Sequence, residues 1–365
     1  MRILHIITSL RQGGAERLVT DLLPRFRDSG HEVELLLFDG TETPLLGKLA
    51  ADGIPVSSFG KGATQMYNPF NALWLRKFLR CKHFDVVHTH NTPCQLLTAL
   101  AAPASGPVLV TTEHNTFNRR RGWRWYRGID RWMYGRYRSI ACVSELTKRR
   151  LIELLGPDFD DKRVSVIANG IDLTRFADAG SHAHFGAGAG KEKHIVLMVA
   201  AFRPQKDQAT LIRAMTHLPD DYELWLAGDG ETRPSCEKLS GTLSLGDRVR
   251  FLGACDDVPG LSALADVAVL SSHYEGMPLS AVESMAAGLP VIASDVEGLR
   301  DTIGNSGLLF RCGDELGLAQ AIRRVCEDGE LYGTLVRRGR ERAAKFGIDA
   351  AADAYERLYK KECGS

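Results

Sequence analysis

Residues 273–295 read HYEGMPLSAVESMAAGLPVIASD. The stretch begins as a loop, continues as a helix with Pro278 in its first turn, and ends in the short apolar strand Pro-Val-Ile-Ala. Two carboxylates, Glu275 and Glu283, flank the start of the helix with seven residues between them. Backbone amides beside Gly276 and the partial positive charge of the helix N-terminus suit a phosphate group. The stretch therefore predicts a site for a phosphorylated ligand.

Short apolar segments recur along the whole chain and alternate with amphipathic helical segments. This alternation is typical of parallel β-α-β units with helices on both faces of a sheet. A chain of 365 residues exceeds one ordinary hydrophobic core, so two such domains are expected. The predicted strands are residues 3–7, 33–38, 56–59, 85–88, 108–112 and 140–143 and a last one within residues 163–172, followed by residues 194–201, 223–227, 248–252, 267–270 and 290–293.

The pattern EGMPLSAVE followed by MAAGLPVIASD resembles the donor site of family 4 retaining glycosyltransferases, which have the GT-B fold. The resemblance implies an α/β protein with two Rossmann-like, doubly wound parallel sheets that face each other across a cleft. Residues 1–172 are then expected to form an acceptor-binding domain, and residues 173–345 a domain that binds the nucleotide-sugar donor. A helix in residues 346–365 is expected to pack back on the first domain.

In the second domain the resemblance implies a donor site made of several short segments. Arg203 and Lys206 follow the first strand, where two cations can hold a diphosphate. Glu275 is expected to contact the sugar and Glu283 the ribose. Gly228 is explained equally well by a tight turn. The implied catalytic residues are His114, Arg203, Lys206 and Glu275. The implied donor-binding residues are Gly13, Gly14, Arg203, Lys206, Gly228, Gly253, Glu275, Gly276, Met277, Pro278, Leu279 and Glu283.

Polar residues of the first domain also follow predicted strands, where ligands bind in doubly wound sheets. Gly13 and Gly14 open a helix and can present amides to an anion, although a tight turn explains them as well. His114 matches a position where the family has a histidine near the reacting sugar, and a neutral imidazole can donate or accept a hydrogen bond there. We assign His88 and His90 to holding a loop rather than to catalysis.

Residues 118–138 combine eight arginines with one aspartate and three of the five tryptophans. We expect Ile129, Trp132 and Met133 to pack on the sheet. The first half of the segment is predicted to contact an anionic membrane surface or a lipid-diphosphate acceptor. The predicted contact residues are Arg119, Arg120, Arg121, Trp123 and Arg124.

Composition limits the other classes of function. Lys and Arg total 46 against 45 Asp and Glu, so the overall charge gives no indication of nucleic-acid binding. The eight cysteines form no C-x-x-C pair and are not grouped with histidines at zinc-ligand spacing. We therefore expect reduced thiols and no metal or other cofactor beyond the donor substrate. No stretch predicts a membrane span, which favours a cytoplasmic protein or one on the inner face of the cytoplasmic membrane.

The predicted function is a metal-independent, retaining hexosyl transfer. A nucleotide-diphosphate sugar, with UDP favoured over GDP, would donate to a glycan or a lipid-linked saccharide in bacterial surface polysaccharide or glycolipid synthesis. Two alternatives stay open. A non-hydrolysing sugar-nucleotide epimerase would release a changed nucleotide sugar without any acceptor, and a non-catalytic scaffold would bind the nucleotide sugar without turnover.

Overall fold

The computed structural model describes residues 1–11, 13–62, 68–114, 126–177 and 193–364. Contacts between residues divide the chain into two compact units. The first unit holds Met1–Gly170 and Ile348–Ser365, and the second holds Ile171–Gly347. These divisions lie two residues from the predicted boundaries at 172/173 and 345/346.

The first unit alternates strands and helices throughout its described residues. Its elements are β1 Arg2–Ile7, α1 Gly14–Asp28, β2 Glu32–Leu37, α2 Pro44–Ala51, β3 Val56–Ser58, α3 Asn71–Cys81, β4 Val86–His90, α4 Thr92–Ala101, β5 Val108–Glu113, α5 Tyr126–Gly135, β6 Ser139–Cys142, α6 Glu145–Leu155 and β7 Val164–Val166.

The seven strands of the first unit form one parallel sheet in the order β3-β2-β1-β4-β5-β6-β7. The predicted doubly wound sheet is therefore confirmed for this unit. The strand order reverses between β1 and β4, so the connections that follow these two strands diverge. Such a reversal opens a crevice at the carboxyl ends of the strands.

Strand β4 continues further than the sequence predicted. It includes His88 and His90, and both side chains are fully buried. The assignment of these histidines to a loop is therefore wrong. A central parallel strand is covered on both faces, and a polar ring can be buried there when its nitrogens are hydrogen-bonded.

A helix that follows the second unit completes the core of the first. This helix, α15, spans Ile348–Cys363. Its buried side chains Ile348, Tyr355 and Tyr359 pack in one cluster with residues of β1 and α1. The apolar face of α15 thus covers one face of the first sheet.

The second unit repeats the alternation within its described residues. Its elements are α7 Thr174–Ala177, β8 His194–Val199, α8 Gln208–Ala214, β9 Tyr222–Ala227, α9 Arg233–Thr242, β10 Val249–Gly253, α10 Val258–Leu264, β11 Val267–Leu270, α11 Leu279–Ala286, β12 Val291–Ser294, α12 Glu297–Ile303, β13 Gly307–Phe310, α13 Glu315–Glu327 and α14 Gly329–Ala343.

The six strands of the second unit form a parallel sheet in the order β10-β9-β8-β11-β12-β13. The reversal here lies between β8 and β11. Strand β13 was not predicted, because it is only four residues long and lies at the sheet edge, where most of its residues are partly exposed. The second doubly wound sheet is confirmed as well.

Candidate functional site

The candidate site of the second unit lies at the reversal of its strand order. Two connections leave the sheet there, residues 200–207 after β8 and residues 271–278 after β11. Ligands in doubly wound sheets bind outside the carboxyl ends of the strands at this point. The predicted residues Arg203, Lys206 and Glu275 all fall on these two connections. The fold therefore brings together residues that are about seventy positions apart in sequence.

Lys206 and Glu275 form the central contact of the site. The ammonium Nζ of Lys206 donates to Oε1 of Glu275 at 2.5 Å. The Glu275 side chain is 7% exposed and that of Lys206 is 18% exposed. A buried carboxylate is stable only when it is paired, so each side chain holds the other in place. The pair thus presents one positive and one negative group side by side.

Backbone contacts fix the two connections relative to each other. The buried hydroxyl of Ser271 donates to the carbonyl oxygens of Lys206, at 3.1 Å, and Asp207, at 2.8 Å. The amide of His273 donates to the carbonyl of Gln205 at 2.8 Å. Asp207 has left-handed backbone angles and caps α8 by accepting from Thr210. These contacts hold Lys206 on a rigid turn.

The helix that follows Glu275 starts one residue later than predicted. Pro278 occupies the N-cap position and α11 begins at Leu279. Glu283 lies within α11 and is 8% exposed. A β-carbon on Gly298 of α12 would lie 2.1 Å from the carbonyl oxygen of Glu275, so only glycine allows this close approach. The helix α12 thereby supports the connection that carries Glu275.

The remaining predicted residues of the second unit have different surroundings. Arg203 is exposed beside Lys206. Gly228 has φ +143°, and a β-carbon there would lie 2.1 Å from the carbonyl oxygen of Ala200, so this glycine shapes the turn that packs against the connection after β8. Gly253 also has a positive φ, and its carbonyl accepts the amide of Gly228. The turn interpretation of Gly228 is supported by this geometry.

The first unit places its predicted residues after the carboxyl ends of its strands. Gly13 and Gly14 are exposed at the start of α1, which follows β1. His114 follows β5, and burial lowers the pKa of its imidazole from 6.5 to about 4. Its Nε2 lies 3.1 Å from Nδ1 of His90, and its buried Nδ1 has no hydrogen-bond partner among the residues that the structure describes. His114 is therefore a neutral ring with one nitrogen unused.

The sequence analysis missed His5, which lies beside His88 and His90. The strand register sets His5 opposite His88, so their rings lie on the same face of the sheet. Ring nitrogens of these three buried histidines lie within 4.8 Å of one another, a grouping that can hold a metal ion among the described residues. The expectation that no metal is needed stays a prediction. Two histidines two positions apart in β4, His88 and His90, were the signal for this cluster.

The described part of the basic segment has structural contacts. Arg127 and Arg131 donate to the carbonyls of Leu154 and Leu155, at the end of α6. Helix C-termini carry partial negative charge, so these guanidinium groups stabilise the helix. Trp132 is 45% exposed, so its predicted place in the core is wrong, whereas Met133 is buried. The predicted contacts Arg119, Arg120, Arg121, Trp123 and Arg124 lie outside the described residues.

Comparisons with known proteins agree with this architecture. Residues 12–175 match the model of Glycosyltransferase Family 4, and residues 182–342 match the model of Glycosyl transferases group 1. The phosphatidyl-myo-inositol mannosyltransferase of Mycolicibacterium smegmatis is 29% identical, with 97% of this chain and 91% of that protein covered. An Escherichia coli UDP-Gal:alpha-D-GlcNAc-diphosphoundecaprenol alpha-1,3-galactosyltransferase is 29% identical, with 70% and 69% covered.

A solved structure shows the same fold over the whole chain. Anabaena HepE in complex with UDP and glucose superposes with a TM-score of 0.84 and 22% sequence identity. The alignment covers 99% of this chain and 100% of that one. The similarity extends through both units.

Proposed function

Because this chain belongs to glycosyltransferase family 4 and is a glycosyltransferase of the GT-B fold, we propose that it transfers a sugar from a nucleotide-diphosphate sugar with retention at the anomeric carbon. The observation that carries the proposal is the buried Lys206–Glu275 pair at the reversal of the second sheet. A cation beside a helix N-terminus suits a diphosphate, and a carboxylate beside it suits sugar hydroxyls.

The chemical difficulty in this reaction is the departing diphosphate. It gains negative charge as the bond to the sugar breaks, while the sugar becomes oxocarbenium-like. Lys206, Arg203 and the backbone N–H groups of Gly276, Met277 and Leu279 stabilise the diphosphate, and Glu275 stabilises the positive charge on the sugar. The departing phosphate oxygen then takes the proton of the acceptor hydroxyl on the same face. Because protein groups supply the positive charge, turnover is expected to survive EDTA.

The donor and the acceptor class are proposed from similar proteins. HepE was solved with UDP and glucose, and the galactosyltransferase relative is named for a UDP-sugar and a diphosphoundecaprenol acceptor. The mannosyltransferase relative is named for a phosphatidyl-inositol. We therefore favour a UDP-sugar donor over a GDP-sugar, and a lipid-linked or glycan acceptor in bacterial surface glycolipid or polysaccharide synthesis. The reaction would take place at the inner face of the cytoplasmic membrane.

Replacing Lys206 tests the assignment of the diphosphate contact. Lys206→Met should lower kcat about 10²–10³-fold, since a preorganised group that acts on transition-state charge is worth about 3–4 kcal/mol. Lys193→Met is the matched control, because Lys193 forms a 3.1 Å pair with the buried Glu223 elsewhere in the same unit. Glu283→Gln should chiefly raise the donor KM. An unchanged kcat for Lys206→Met would refute the assignment.

The two alternative functions are separated by the products. The donor alone, followed by NMR, should stay unchanged until an acceptor fraction is added. Formation of an isomeric nucleotide sugar without acceptor would show an epimerase. Binding of nucleotide sugars without release of nucleotide in any lipid or glycan fraction would show a scaffold.

A second membrane contact, in addition to the one predicted for the basic segment, is proposed on α3. Phe70, Leu73 and Trp74 at the start of this helix are 72%, 68% and 42% exposed. Arg76, Lys77 and Arg80 are exposed on the same helix, and α3 contains no acidic residue. An apolar tip beside basic side chains suits an anionic lipid surface. Since α3 follows β3, its first turn lies at the edge of the sheet where the strands end.

Liposome flotation tests this surface. The protein should float with vesicles of phosphatidylglycerol and phosphatidylcholine and remain below pure phosphatidylcholine vesicles. Leu73→Ser should weaken flotation, whereas Leu316→Ser, at a leucine 54% exposed in the second unit, should not. Equal flotation of both variants would exclude α3 as the contact. Within the part of the chain that the structure describes, no helix is both long and apolar enough to cross a bilayer.

A further inference from the structure

A continuous chain of hydrogen bonds runs through the first unit and ends at His114. We call it the histidine chain. Every side chain in it except His114 is fully buried. In order, its members are Tyr355, Thr112, His88, Tyr359, His5, His90 and His114.

The strand register explains why these residues meet. His5 lies opposite His88, and His90 lies opposite Thr112. Residues two apart in a strand share a face, so His88 and His90 lie together, as do Thr112 and His114. The tyrosines of α15 cover this face. The chain is therefore built from three neighbouring strands and one helix of the same unit.

Four links of the histidine chain involve a hydroxyl group, and the longest of them joins Tyr359 to His5. The Tyr355 hydroxyl lies 2.9 Å from Oγ1 of Thr112, which lies 2.7 Å from Nε2 of His88. Nδ1 of His88 lies 2.5 Å from the Tyr359 hydroxyl, which lies 3.5 Å from Nε2 of His5.

The last two links join imidazole rings. Nδ1 of His5 lies 3.1 Å from Nε2 of His90, and Nδ1 of His90 lies 3.1 Å from Nε2 of His114. Burial lowers the pKa of His5 to about 3 and holds the pKa values of His88 and His90 well below 6.5. Each ring is therefore neutral and carries one proton.

Counting protons limits the arrangements of the whole chain to four. Seven side chains carry one proton each, and six links need one proton each. If every link is made, the proton left over lies on the hydroxyl of Tyr355, Thr112 or Tyr359, because a hydroxyl oxygen can accept two hydrogen bonds, or it lies on Nδ1 of His114. Only the last case protonates all four histidines on Nδ1, and in the other three cases His114 is protonated on Nε2.

These arrangements differ in the number of unsatisfied groups. If the leftover proton lies on Tyr355, Thr112 or Tyr359, that buried hydroxyl proton has no acceptor in the chain and Nδ1 of His114 is a bare acceptor. If the chain donates toward His114, Tyr355 gives its proton to Thr112 and only the Nδ1 proton of His114 is unused. An unpaired buried donor costs about 1–3 kcal/mol. The arrangement that donates toward His114 therefore leaves the fewest unsatisfied groups.

We infer that the histidine chain holds His114 in its Nδ1–H form, so that His114 donates a hydrogen bond to an oxygen of the bound sugar and does not act as a base. His5, His90 and Tyr359 are then positioning residues, which act through His114. The orphaned Nδ1 of His114 is where the ligand oxygen would complete the chain. This role in the reaction rests on the proposed function, whereas the proton arrangement is a property of the free protein.

NMR of the free protein with ¹⁵N-labelled histidine tests the arrangement without any substrate. Long-range ¹H–¹⁵N correlations distinguish the two ring tautomers. His5, His88, His90 and His114 should all be protonated on Nδ1. Protonation of His114 on Nε2, whatever the other three rings show, or imidazolium signals at neutral pH, would overturn the inference. One equivalent of zinc bound to the purified protein would overturn it too, because a metal would occupy ring nitrogens of His5, His88 and His90.

Two tyrosines of α15 provide a matched pair of variants. Tyr359→Phe cuts the chain in the middle, so the segment from His5 to His114 loses its donor and His114 should become a mixture of tautomers. Tyr355→Phe removes the same group from a position that is equally buried, but Thr112 can still donate to His88. This control should keep the Nδ1–H form. Equal spectra for the two variants would refute the mechanism.

Donor binding gives the second readout. If about half of the Tyr359→Phe molecules carry the wrong tautomer, the apparent donor Kd should rise about twofold, while Tyr355→Phe should bind as the wild type does. Absence of nucleotide-sugar binding in the wild type would refute the proposed function and leave the NMR result standing. A tautomer shift in Tyr359→Phe with unchanged donor affinity would refute the contact between His114 and the sugar.

Discussion

Acidification should destabilise the first unit much more than the second. The perturbation is a change from about pH 7 to about pH 5.5. His5, His88, His90 and His114 are buried and stay neutral in the folded unit, since burial depresses their pKa values. In the unfolded chain the same rings return to a pKa of 6.5 and take up protons. The unfolded state then binds more protons, so stability falls as the pH falls.

The magnitude follows from the linkage relation. A histidine with a pKa of 6.5 in the unfolded chain, and no proton uptake in the fold, removes about 1.2 kcal/mol between these two pH values. Four such residues together remove up to about 5 kcal/mol. Because whole domains are stable by only about 5–15 kcal/mol, this loss brings the first unit close to unfolding. Stability is complete above about pH 7 and decreases toward the pKa of about 4 at His114.

Amide hydrogen exchange measured by mass spectrometry, after correction for the intrinsic exchange rate, gives the stability of each unit separately. Peptides from β1 and β4 report on the first unit, and peptides from β8 and β11 serve as the internal reference. The pH range of this experiment lies above the ordinary carboxyl pKa values of 3.8 to 4.5, so carboxylates contribute little to the change in stability. If the free energy of unfolding reported by β1 and β4 falls by less than about 1 kcal/mol relative to the reference peptides, the histidines are already charged in the folded unit.

Two further predictions concern packing. Gly298→Ala should weaken donor binding at least several-fold and destabilise the second unit by about 1–3 kcal/mol, because the new β-carbon would collide with the Glu275 carbonyl. Gly333→Ala is the control for the calorimetric measurement. A β-carbon at Gly333 would have no neighbour within 4 Å, so this variant should be neutral or stabilising. Deleting residues 348–365 should unfold the first unit while the second keeps its exchange protection, since α15 supplies Ile348, Tyr355 and Tyr359 to the first core. Native circular dichroism from the shortened chain, with exchange protection of β1 intact, would contradict this.

Much of the architecture could be predicted because its sequence signals are local. The apolar run Val267–Leu270 and the helix that contains Glu283 each show their character within a few residues. The candidate donor segment could be predicted because Glu275, Gly276 and Glu283 occur in one continuous pattern. The strand order and the Lys206–Glu275 contact needed the structure, because they depend on which strands pair.

The histidine chain could not be predicted for a related reason. His5 lies 83 residues before His88, and only the register of β1 on β4 brings them together. Tyr355 and Tyr359 join them from a helix on the far side of the second unit in sequence. The sequence analysis placed the exposed Trp132 in the core, because a tryptophan on the apolar face of a helix is ordinarily buried. Such positions are decided by tertiary packing.

The position of α15 in the chain has a consequence for biosynthesis. The first unit needs residues 348–363 to close its core, yet the ribosome makes residues 171–347 before them. At about 5–20 residues per second, that delay is on the order of 10–35 s. During this time the nascent polypeptide carries an open sheet whose histidines and leucines face water, and the second unit can fold first. We expect chaperones to bind the emerging protein at this uncovered face. We expect them to release the protein when α15 docks.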